Sequence, residues 1–121
     1  MPLVLCTGTE PSLMKTRQLI LEHAGHTVIL AFNSRELEMI CSKRQFDVAV
    51  IGQSTPARLK REHIAVIRRF CPASKVLELY PSYVGRVLDD ADAWLEMPPE
   101  RPEQLVETVN GLTGGKSVSA G

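Results

Sequence analysis

The chain has 121 residues, 44% of them hydrophobic and 23% charged. That length suits one domain with a core of its own. Fourteen basic side chains cancel fourteen acidic ones, so net charge gives no reason to bind nucleic acid, a membrane or a polyanion.

Leu3 to Cys6 is a short continuous apolar run, broken by Thr7-Gly8-Thr9-Glu10-Pro11. Such a run predicts a strand buried on both faces. From Ser12 to Ala24, Leu13, Ile20, Leu21 and Ala24 recur at helical spacing, and Gly25 stands where a helix C′ residue belongs. Thr27 to Ala31, apolar and partly β-branched, predicts a second strand. Asn33 followed by Glu36 resembles a capping box, with Leu37, Ile40 and Cys41 spaced as a helix face behind it. Val48 to Ile51 predicts the third strand, which stops at Gly52-Gln53-Ser54-Thr55-Pro56.

A third helix carries Leu59, His63, Val66, Ile67 and Phe70 on one face and Arg58, Lys60, Arg61, Arg68 and Arg69 along its outside. Pro72 ends it, and Lys75 to Tyr80 predicts strand four. The segment from Pro81 to Asp90 is poorly patterned, with at most two helical turns. Ala93 to Leu95 predicts a brief fifth strand, and Pro102 opens a last helix carrying Leu105, Val106, Val109 and Leu112. Residues 1–112 are expected as the domain, and 113–121 as a flexible tail.

Alternating strands and helices with short connections predict an α/β fold: a (βα)5 doubly wound, parallel five-stranded sheet, flavodoxin-like, in order 2-1-3-4-5, with a shortened fourth helix. In such sheets a functional site gathers at the C-terminal ends of the strands. Cys6, Cys41 and Cys71 are an odd, widely spaced set, expected as free thiols in a reducing cytoplasm. Leu3 to Cys6 is too short, and lacks the basic flank, for a leader or a membrane span, so a cytoplasmic protein is expected. The histidines and cysteines show no metal-ligand spacing, and neither a cofactor nor a catalytic residue is expected.

The stretches VLCTGTEP, LEHAGHTV, FDVAVIGQSTP and ADAWLEMPPERPEQL together resemble the receiver domains of bacterial two-component response regulators. The likeness runs from Val4 to Pro81 and resumes from Ala91 to Leu112. It implies a signalling domain with a cis-proline turn after strand five. It also implies positions for the phosphorylation machinery, and the residues at all of them differ. The acidic pair that holds a divalent metal matches Gly8 and Thr9. The phosphoryl-accepting aspartate matches Gly52, the hydroxyl residue ending strand four matches Tyr80, and the lysine before the cis-proline matches Met97. Magnesium wants hard oxygen ligands, an acceptor needs a nucleophilic oxygen, and transferred phosphoryl charge needs a cation. These residues supply none of the three.

The expectation is therefore a stand-alone, degenerate receiver that acts by phosphorylation-independent protein contact. Its protein partner is unidentified, and a homodimer through the fourth-helix, fifth-strand and last-helix surface is one form the contact can take. Trp94 matches the family's aromatic switch position, and Tyr83 lies close by in sequence, so both are candidate interface anchors. The alternative is a small-molecule or nucleotide module using a pocket vacated at Gly8, Thr9, Gly52, Tyr80 and Met97, whose small or neutral side chains leave room. Glu78 is anomalous: it interrupts a buried strand, where a lone carboxylate is costly. Either a lysine or arginine partners it, or the short fourth helix leaves it locally exposed, or it is a carboxylate of raised pKa in a remodelled pocket.

Overall fold

A computed structural model describes residues 2–113, so all but the first residue of the expected tail lies outside the described residues. The strands are β1 (Leu3–Thr7), β2 (Thr27–Ala31), β3 (Val48–Ile51), β4 (Lys75–Pro81) and β5 (Ala93–Met97). The helices are α1 (Pro11–His23), α2 (Ser34–Lys43), α3 (Ala57–Phe70) and α4 (Gln104–Leu112). All strand pairs are parallel and the sheet order is β2-β1-β3-β4-β5, as the patterning implies.

The continuous apolar runs are explained by the two-residue period of a strand. In β1, Val4 and Cys6 face one core with Met14 and Leu21 of α1 and Leu105 and Val109 of α4. Leu5 faces the other core, with Leu37 of α2 and Ile64 and Ile67 of α3. Local chemistry sets the helix ends. Asn33 Oδ1 accepts from Glu36 N at 2.9 Å, while Glu36 Oε1 accepts from Phe32 N at 2.8 Å. Gly25, at φ +98°, takes the left-handed turn after α1.

Two expectations are corrected. The inner face of α1 is Met14, Arg17 and Leu21, whereas Ile20 is 38% exposed. The shortening between β4 and β5 goes further than expected, since no helix forms there. Val84 N and Gly85 N both donate to Pro81 O, at 3.0 and 2.9 Å, and Gly85 then turns away at φ +83°. Past Arg86, the amides Val87 N and Leu88 N are taken by the Glu78 carboxylate. Among the described residues, no helix is long and apolar enough to cross a membrane.

Candidate functional site

Gly8 follows β1 and Gly52 follows β3, and Gly52 N donates to Thr7 O at 2.9 Å, so both sit at the C-terminal edge of the sheet. Together with Thr9, Met14, Arg17 and Ser54 they line one cleft. Its interior belongs to α1. Arg17 is only 4% exposed, and its Nη2 donates to Gln53 Oε1. A Cβ placed on Gly52 would stand 3.0 Å from Arg17 Nη1 and 3.1 Å from Thr7 O. A Cβ on Gly8 would stand 2.8 Å from Met14 Sδ. The two glycines are thus what allows Met14 and Arg17 to lie against the strand ends.

The expected vacated pocket is corrected accordingly. The space is filled from within the chain, and the cleft has no room for a water molecule. Tyr80 and Met97 do not line it. They stand at the ends of the neighbouring strands β4 and β5, where Tyr80 pairs with Glu96 and Pro81 with Met97. The Met97–Pro98 peptide is cis, as the resemblance implies.

Arg17 was not singled out by sequence, because a lone cation in an amphipathic helix reads as a solvated residue. Among the described residues, no carboxylate lies within ion-pair distance of it. Burial lowers its pKa, with the Cys6 thiol acting in the opposite direction. Burial pushes the Cys6 thiol up to about 12, against a smaller pull down from Arg17. A thiol so protonated is not a nucleophile near neutral pH. Cys6, Cys41 and Cys71 are all buried and free.

Glu78 has its partner. On β4, alongside Ile51 of β3 and Trp94 of β5, its carboxylate is 2.8 Å from Lys60 Nζ and accepts from Val87 N and Leu88 N, each at 2.9 Å. Lys60 Nζ also donates to Leu79 O at 2.8 Å. Both side chains are fully buried, so Lys60 is corrected from the outside of α3 to its core face. The other α3 face does carry Arg58, Arg61 and Arg69 in solvent. His63 lies on the core face as expected, with Nδ1 3.2 Å from Thr7 Oγ1 and its pKa lowered by burial. Among the described residues, no group of three or more His, Cys, Asp or Glu is placed to hold a metal.

No protein-family model matches the chain, and no curated protein matches it. Solved structures do. A response regulator receiver domain protein from Clostridium thermocellum is 19% identical, covers 98% of each chain and has a TM-score of 0.80. A response regulator from Thermotoga maritima, in complex with Mg2+ and BeF, is 21% identical over 93% of this chain and 99% of that one, with a TM-score of 0.77. An adenylate cyclase structure from Rhodopirellula baltica is 17% identical over 98% of this chain and 92% of that one, with a TM-score of 0.80. The chain has the receiver fold. At these identities the likeness concerns architecture, and the chemistry has to be read from this chain's residues.

On the receiver fold, Trp94 and Tyr83 part company. Trp94 is half-buried: its Nε1 donates to Leu88 O at 2.8 Å, and the Arg86 guanidinium lies 4.5 Å from the ring centroid. Tyr83 stands out at 89% exposure.

Proposed function

We propose that the chain is a receiver-type signalling domain that acts by contact with a protein partner and does not use phosphoryl transfer. The filled cleft carries this reading. Where the receiver family has an acceptor carboxylate, this chain has Gly52 with the Arg17 guanidinium packed against it. Gly8 and Thr9 offer no metal-binding carboxylate, Glu10 at the cleft is engaged in capping α1 through Ser12 N, and Met97 offers no cation. Arg17, the one cation lining the cleft among the described residues, is already engaged by Gln53. A small molecule or nucleotide is disfavoured at this cleft for the same reason, since its space is occupied.

The surface proposed for contact is the β4–β5 segment and β5, with Tyr83 as the exposed aromatic and Trp94 as its half-buried support. No enzymatic step is assigned to the chain. Its buried free thiols suit a reducing cytoplasm. The test is incubation with Mg2+ and acetyl phosphate, followed by intact-mass measurement. The chain is expected to stay unmodified, and a phosphorylated species sensitive to hydroxylamine would overturn the reading.

A further inference from the structure

The strongest unassigned features are an apolar protrusion and an apolar groove, both on the surface of the same chain. Tyr83 is 89% exposed and Val84 58% exposed, at the tip of the turn that follows β4. That turn is braced. Two amides converge on Pro81 O, Gly85 closes it at φ +83°, and the buried Glu78 carboxylate grips the backbone of Val87 and Leu88 just behind. An aromatic held out on a pre-formed turn loses little further freedom when it binds, which is what an interface anchor requires.

The groove lies between α1 and α4. Leu19, Ile20, Ala24, Pro102 and Val106 form its apolar walls around a volume of about 550 Å³, with His23 and Glu103 as its polar lining. Leu19 and Ile20 are 55% and 38% exposed, an unusual placement for large aliphatic side chains that stand together. Below it, the connection that follows α1 is held to α4 by a 2.7 Å contact between His26 Nε2 and Asn110 Oδ1.

We propose that the chain associates with copies of itself, the Tyr83–Val84 turn of one copy seating in the α1–α4 groove of another. The proposal rests on the reading that the chain works by protein contact, and names its partner as a second copy. The chemistry of the two surfaces matches. A tyrosine ring with a neighbouring valine suits an apolar groove, and the phenol hydroxyl meets the Glu103 carboxylate or the His23 imidazole at its edge. Charge agrees as well. Arg86, stacked on Trp94, flanks the turn with no carboxylate within ion-pair distance among the described residues, while Glu103 at the groove has only Arg101, 4.0 Å away. A contact of this size belongs to the weak class, below about 1,200 Å² of total buried surface, so association shows at high concentration.

The test is sedimentation equilibrium of the full chain up to about 1 mM, the range of weak contacts. The wild-type mass is expected to rise with concentration, and Tyr83→Ser and Ile20→Glu each to hold the chain as a monomer. Both sites are exposed, and circular dichroism confirms that each variant is folded. An equimolar mixture of the two variants is expected to form mixed pairs, because one supplies an intact groove and the other an intact turn. A monomeric wild type, association that survives in either variant, or a mixture that stays monomeric would overturn the proposal. Such a failure is distinct from failure of the wider reading, which the phosphodonor mass measurement decides separately.

Discussion

His63 is buried on the core face of α3 with Nδ1 facing the Thr7 hydroxyl at 3.2 Å and Nε2 without a partner. An imidazolium there would lose its hydration and gain no acceptor for its second N–H, so burial lowers its pKa, with only Glu62 drawing it upward. The unfolded chain has the ordinary value of about 6.5. Above that pH both states are neutral, and His63 adds no pH dependence. As pH falls below it, the unfolded chain takes a proton that the native chain refuses, and stability is lost towards the lower native pKa. The loss is at most about 1.4 kcal/mol per pH unit. Urea midpoints at about pH 7.5 and about pH 5.5 should therefore fall further for the wild type than for His63→Leu. Equal falls would contradict the buried neutral imidazole. At this scale the sequence is only partly informative. It places His63 on the apolar face through helical period, but it sends Arg17 and Lys60 to solvent. Whether a long cation is buried depends on partners that lie 36 and 18 residues away, Gln53 and Glu78.

The elements were legible where their signals are local. Asn33 and Glu36 cap α2 within one turn, and Gly25 ends α1 by its own conformation. The segment after β4 was not, because its shape is set by Glu78 from within the strand: the carboxylate claims the amides of Val87 and Leu88 and holds Lys60 of α3. One buried ion pair thus joins three elements. Removing a single partner leaves an uncompensated buried charge, which typically costs about 3–5 kcal/mol. Lys60→Met should lower unfolding stability by about that much, measured by urea denaturation, and should raise amide exchange at Val87 and Leu88. A loss below about 1 kcal/mol would show that the pair contributes little to the fold. The α1 face was misread for a related reason. Leu19 and Ile20 are apolar yet exposed, while Arg17 is charged yet buried, so hydropathy alone points the helix the wrong way.

For the molecule as a whole, strand order and parallel pairing follow from continuous apolar runs that alternate between two cores, and the sequence carries that pattern plainly. The resemblance sets Gly8, Gly52 and Met97 at the family's reactive positions, an expectation equally plain in the sequence. What lies against those glycines was not plain, because Met14 and Arg17 reach the strand ends from a helix whose spacing with β3 only the fold reveals. A receiver fold whose reactive cleft is filled by its own first helix is proposed to signal from its surface. Backbone amide spectra recorded with saturating Mg2+ and beryllofluoride probe that reading most directly. Resonances of Gly8, Gly52, Gln53 and Met97 should stay where they are in the free protein. Saturable shifts at those residues would mean that the cleft opens to a phosphoryl mimic, and would contradict it.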